Sequence, residues 1–335
     1  FSRQLSTLLN AGIPLLRSLD ILSKQVESKK LYNALEAIKG DIEGGLTFHD
    51  ALAKHRRIFS DFWINLVETG EASGQLASVL EQVANYIEAS GALQRKIKSA
   101  MVYPIIISIV AVIAVLVFLL KIIPTFAEIF KGFNIELPLL TKMVMTASDI
   151  LRHYFLMVAG GTVVFVIGFK KYIQTEKGRR QFDAFKLNLP LVGSLFKEIA
   201  VSRFTSGLST LIRSGVPLLH CLKIVSRTSG NKLFEEAIIK VREAVQEGKT
   251  MAKPLEESGL FPPMVSQMVT VGEESGELSE MLQKISDFYE ERVTASVNRL
   301  TAAFEPMMLV LMGAVVGTLI VSMYLPIFKM TKIGG

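Results

Sequence analysis

The sequence predicts an all-α membrane protein with two homologous cytoplasmic helical-bundle domains and three transmembrane helices. Three observations carry that expectation. Acidic and basic residues are absent from Met101 to Leu120, from Tyr154 to Phe169 and from Met307 to Phe328. A set of motifs in the first hundred residues returns at an offset of 203 and then 202. Apolar residues recur at helical spacing, and alternating β-branched runs are absent. Of 335 residues 50% are hydrophobic and 20% charged, where a soluble domain averages about 25% charged. The apolar content excludes disorder, and a single cysteine, Cys221, excludes a disulfide scaffold. The net charge of +6 does not point to nucleic acid as a partner.

The elements follow in order. Residues 1–100 are expected to form the first cytoplasmic domain. Phe1 opens directly on an amphipathic pattern (Leu5, Leu8, Leu9) with no signal peptide, so the chain reads as a piece of a longer one. Helix breaks are expected at Gly12-Ile-Pro14, where proline suits a first helical turn, at Gly44-Gly45, around Arg57 to Ser60, and at Gly70 to Gly74. Thr47 with Asp50 resembles a capping box. From Leu76 the pattern runs towards the first span with no break before Gly91. Residues 101–123 are the first transmembrane helix. Met101 to Leu120 alone reaches roughly 30 Å, the thickness of the hydrocarbon core. Residues 124–153 are expected as a periplasmic loop and 154–169 as a shorter second span of about 24 Å, for which a buried core helix is the alternative. The second cytoplasmic domain occupies 170–303, the third span 307–328 and an outer tail 329–335.

Orientation follows from the basic residues. Arg95, Lys96 and Lys98 precede the first span, and Lys170, Lys171, Lys177, Arg179 and Arg180 follow the second. The segment 121–153 holds four basic and three acidic residues in a longer stretch. The positive-inside bias places 1–100 and 170–303 in the cytoplasm.

The repeat is specific. Leu5-Ser-Thr-Leu-Leu-Asn-Ala-Gly-Ile-Pro-Leu-Leu16 matches Leu208-Ser-Thr-Leu-Ile-Arg-Ser-Gly-Val-Pro-Leu-Leu219, and Gly70-Glu-Ala-Ser-Gly-Gln-Leu76 matches Gly272-Glu-Glu-Ser-Gly-Glu-Leu278. The match reaches the spans, where Pro104 meets Pro306 and Pro124 meets Pro326. One unit has been used twice, and the second span is the extra crossing that two units of one orientation require.

Chemistry-bearing motifs are few. Gly248-Lys249-Thr250 looks like the end of a phosphate-binding loop, but Glu243 stands where a glycine is needed and the context is helical, so a helix–helix turn is expected. None of the four histidines pairs at metal-ligand spacing, and Cys221 reads as a small buried hydrophobe. No catalytic, cofactor or metal site is expected. In the doubled G-E-x-S-G-x-L turn, Gly70, Gly74, Gly272 and Gly276 suit a helix end, and Ser73 and Ser275 can cap the next helix. Glu71 and Glu273 are open to a structural role, a partner contact or a divalent cation, and their removal is expected to spare stability. Gly313 and Gly317 form a small-xxx-small pattern suited to packing within the chain or to self-association. Lys54-His-Arg-Arg57 carries +3, whereas the aligned Glu256-Glu-Ser-Gly259 carries −2. Arg56 and Arg57 are therefore candidate partner contacts, with solvated helix ends as the alternative.

The Arg3-to-Leu16 segment, the doubled turn and the layout of two helical domains with three spans resemble the type II secretion F-protein family, the PilC/GspF-like inner-membrane platform proteins of type IV pilus and type II secretion machines. The resemblance covers essentially the whole chain. It implies a non-enzymatic, multi-pass protein of the bacterial inner membrane, homo-oligomeric and embedded in the lipid bilayer. Its implied partners are a cytoplasmic assembly or secretion ATPase, a pilin or pseudopilin, and other inner-membrane assembly proteins. It also implies a further N-terminal cytoplasmic segment before the residues matching Phe1. Pilus assembly and secretion stay unseparated at this level. A small-solute transporter is disfavoured by the charge-free spans, and a signalling adaptor leaves the motifs unexplained.

Overall fold

A computed structural model describes residues 1–132, 137–190 and 192–333. Its described elements are helical: α1 (Ser2–Asn10), α2 (Leu15–Ser23), α3 (Lys29–Glu43), α4 (Phe48–Ala53), α5 (Asp61–Ala72), α6 (Leu76–Val117), a π-helical turn (Phe118–Ile122), α7 (Ile123–Gly132), α8 (Leu139–His153), α9 (Phe155–Ile173), α10 (Glu176–Asn188), α11 (Gly193–Arg213), α12 (Leu218–Thr228), α13 (Lys232–Gln246), α14 (Ala252–Glu257), α15 (Pro263–Ser275) and α16 (Leu278–Ile333). The chain divides into two compact units. The first is Phe1–Arg95 with Arg180–Ala295, and the second is Lys96–Arg179 with Ser296–Gly335. Helices α6 and α16 contribute to both.

Local chemistry sets the helix starts of the first unit. Ser28 accepts from the N–H of Leu31, Thr47 from Asp50 at 3.0 Å, Ser60 from Trp63 and Asn231 from Leu233 at 2.9 Å. Each satisfies a donor that the helix itself cannot. Pro14, Pro217 and Pro262 stand at the N-caps of α2, α12 and α15. The helices bury one continuous apolar cluster that includes Leu19, Leu35, Phe62 and Trp63 from the first repeat and Phe204, Leu222, Phe234 and Tyr289 from the second. Two bundles that read as successive domains therefore share a core. That burial is the main stabilising term, at about 25 cal/mol per Å² of apolar surface.

In the second unit three helical runs are long and apolar enough to cross a membrane: Leu76–Phe130, Phe155–Ile173 and Leu278–Phe328. Gly91 lies inside α6 and does not break it, because a lone helical glycine costs only about 1 kcal/mol. Helix α9 has no buried residue, which overturns the alternative of a core helix. Most of the described part of 124–153 is helical where a loop was expected, in α7 up to Gly132 and in α8 from Leu139; Pro138 opens α8, and α8 is tied to the spans by polar groups. Thr141 Oγ1 donates to the Ser322 carbonyl at 2.6 Å, and Ser148 donates to the Leu119 carbonyl in the π-helical turn. Such turns leave carbonyls without a regular helical partner, and Ser148 answers one. Residues 133–136 of that segment and 334–335 of the tail lie outside the described residues.

Candidate functional site: the paired glutamate turns and the repeat interface

The G-E-x-S-G-x-L turns join α5 to α6 and α15 to α16. Gly74 has φ +69° and Gly276 φ +75°, the left-handed region that only glycine enters freely. Gly70 and Gly272 serve differently. A Cβ at Gly70 would stand 3.0 Å from Val79 Cβ, and one at Gly272 would stand 2.9 Å from Leu278 Cα. The missing side chain lets the returning helix pass close by.

The glutamates are explained by their partners. Glu71 accepts from the backbone N–H of Phe48 at 2.8 Å and of His49 at 3.0 Å. With Thr47 on the Asp50 N–H, the first three donors of α4 are all satisfied. Glu273 accepts from Met251 N–H at 2.7 Å, at the start of α14, and its Oε2 is buried with no hydrogen-bond partner among the described residues. A carboxylate at a helix start also meets the positive end of the helix dipole. The sequence missed this because the glutamates bond residues 22 and 23 positions earlier, beyond any local motif. Among the described residues no group of three or more His, Cys, Asp or Glu is placed to hold a metal ion.

Ser73 does not cap the following helix. It ends α5 in a right-handed helical conformation, which turns its hydroxyl back to donate to the Thr69 carbonyl at 2.8 Å. Ser275 accepts from the Glu277 N–H at 3.3 Å, just ahead of α16. Lys249 pairs with Glu247 at 2.7 Å in the turn between α13 and α14, where Gly248 has φ +81°. Cys221 is fully buried, and burial pushes its thiol up to about 12. A Cβ at Gly313 or Gly317 would meet nothing within 4 Å, so these glycines make no close approach within the described chain.

The basic run is less bare than its sequence suggests. Lys54 pairs with Asp41 at 2.7 Å and Arg56 with Asp61 at 3.0 Å, and Arg57 is exposed. Asp61 also pairs with Arg227 of the second repeat at 3.0 Å, which makes Arg56 part of a bridge between the copies. Further contacts cross that interface. Ser214 Oγ donates to Gln82 Oε1 at 2.6 Å, and His220 Nε2 lies 2.5 Å from Asn65 Oδ1. Tyr86 stacks on Phe62 with centroids 4.1 Å apart, and it lies beside Gly207, where an added Cβ would stand 3.7 Å from the Tyr86 hydroxyl. Burial raises the Tyr86 hydroxyl pKa, against the opposing effects of Arg203 and Thr228 of the second copy.

A family model described as type II secretion system protein F matches residues 1–124 and again 204–326. The chain is 43% identical over 330 residues to the type IV pilus assembly protein PilC of Myxococcus xanthus, covering 98% of this chain and 79% of that protein. It is 42% identical over 330 residues to the PilC of Thermus thermophilus, covering 98% and 81%. Against the type II secretion system protein F of Pseudomonas aeruginosa it is 33% identical over 335 residues, covering 100% and 82%. With the doubled turns, the shared core and three apolar spans in the same chain, the protein belongs to the type II secretion system protein F family.

Proposed function

We propose that this protein is the inner-membrane platform of a type IV pilus assembly machine, coupling a cytoplasmic ATPase to the extraction and polymerisation of pilin subunits. The observation that carries the reading is the near full-length identity of 43% to a pilus assembly protein, against 33% to a secretion protein. The fold suits a mechanical rather than a chemical role. Two repeats on one core form a unit that can take a load without separating, and apolar spans free of acidic and basic residues supply no ion path. The basic clusters at 95–98 and 170–180 support a cytoplasmic position for both repeats. Pilin, other inner-membrane assembly proteins and further copies of the chain are the remaining partners of this reading.

Deletion of the gene followed by complementation is the test, with surface pili and export of a secreted hydrolase measured together. Loss of pili with normal export is the expected result. Loss of export with normal pili would assign the protein to secretion instead, and co-purification with an assembly ATPase from detergent extract checks the coupling.

A further inference from the structure

Helices α2–α3 and α12–α13 correspond position for position at an offset of 203, and one site breaks the likeness in charge. In the first copy Lys39 Nζ lies 2.6 Å from Asp20 Oδ1 and 3.3 Å from Glu36 Oε1. In the second copy the same three positions hold Arg242, Lys223 and Ile239. A closed ion pair has become two adjacent cations, and the second carboxylate has become an apolar side chain. Neither Lys223 nor Arg242 has an ion-pair partner among the described residues.

Both cations line an open cleft of about 740 Å³ within the first unit, between α5 of one repeat and α12–α13 of the other. Pro217 and His220 line it as well, at the start of α12. No side chain caps that eleven-residue helix, so its free N–H groups and dipole add to the positive potential. A concave, low-dielectric wall focuses such a field more than an open helix face does. The opposite wall carries Glu68, whose Oε2 is 3.8 Å from His49 Nε2. Leu219 adds a partly exposed apolar surface.

We infer that this cleft binds an acidic peptide segment of a partner protein, seating its carboxylates on Lys223 and Arg242 and an apolar side chain against Leu219 and Pro217. The volume falls in the range of about 300–1,000 Å³ typical of sites for extended organic ligands and exceeds what one small anion fills. Glu68 repels a phosphate placed at the centre of the cleft, whereas a peptide can turn backbone N–H donors towards it. At the matching position of the first copy Asp20 already pairs with Lys39 and occupies the place the incoming carboxylate would take.

The inference concerns binding alone and is read independently of the pilus assignment. The probe is a fluorescent peptide of sequence Glu-Leu-Glu-Glu-Leu-Glu, titrated by anisotropy onto the full chain in detergent at low and high salt. Wild-type protein should bind it, and more weakly as salt shortens the screening length. Lys223→Asp rebuilds the pair that stands in the first copy and should fold for the same reason, yet weaken binding about tenfold or more. Arg242→Gln should weaken it in the same direction. Absent wild-type binding, or binding by Lys223→Asp within twofold of wild type, would overturn the inference. Inorganic phosphate or phosphatidylglycerol vesicles binding as tightly as the peptide, with the same dependence on Lys223, would overturn it in favour of a small anion or the lipid surface.

Discussion

The carboxylate of Glu71 accepts the backbone N–H of Phe48 at 2.8 Å, so a residue of the α5–α6 turn closes the start of α4. The second copy repeats the contact with one bond fewer, from Glu273 to Met251. Both carboxylates thus tie a turn to a distant helix start, which predicts a cost in stability on removal where the sequence led us to expect none.

Glu71→Ala should cost about 1–3 kcal/mol, because it uncovers two helix-start donors. Glu273→Ala should cost less, since it loses one bond and releases a buried oxygen with no hydrogen-bond partner among the described residues. Melting of the full chain in detergent reads the order, and equal melting of Glu71→Ala and wild type would contradict the clamp.

Gly74→Val and Gly276→Val should each cost more than about 1 kcal/mol, since a β-branched residue at φ +69° or +75° is strained. Gly272→Ala should be worse than Gly70→Ala. Its Cβ would stand 2.9 Å from backbone Leu278 Cα, whereas at Gly70 the nearest atom is a side-chain carbon of Val79 at 3.0 Å. The comparison belongs in the full chain, because the repeats share a core.

Tyr86→Ala should lower stability by about 3 kcal/mol and leave a single unfolding transition for both repeats. Asp61→Asn, which breaks the exposed bridge between Arg56 and Arg227, should cost at most about 1 kcal/mol. Two separate transitions in the wild-type melt would show that the copies fold independently.

Hydrogen bonds from Lys24 and then Lys39 hold the Asp20 carboxyl down to about 2, against an ordinary 3.8. The folded value is depressed, so the pairing stabilises fully above pH 3.8 and is lost as pH falls towards 2. Urea unfolding at pH 5 and pH 2.5 should show Asp20→Asn less acid-sensitive than wild type over that window.

Cys221, with its thiol at about 12, should resist a thiol reagent at pH 8 and react once the chain is unfolded. It therefore serves as a silent background for topology. Lys253, whose side chain is 80% exposed, serves as the inside reporter. In intact cells an impermeant reagent should label Asn134→Cys and spare Lys253→Cys; labelling of Lys253→Cys would reverse the orientation.

The sequence by itself determined the helical class, the three spans, the duplication and the family. Each rests on short-range periodicity, on runs without charge or on a motif repeated at fixed spacing, and none needs knowledge of what lies across a helix. It also determined the helix start that Thr47 caps, since that bond closes within three residues, and it placed a break ending at Ser60, which the structure shows capping α5. Tertiary structure decided the rest. Within the segment expected as a loop, α8 is held in place because Thr141 and Ser148 find carbonyls on distant helical segments. The basic run around Arg56 was partly neutralised by Asp41 and Asp61, whereas Lys223 and Arg242, unremarkable along the chain, were left facing a cleft. A side chain's charge is written in the sequence, but the effect of that charge depends on which groups, tens of residues away, packing brings within about 4 Å, where the Coulomb energy of a pair first rivals the cost of holding it.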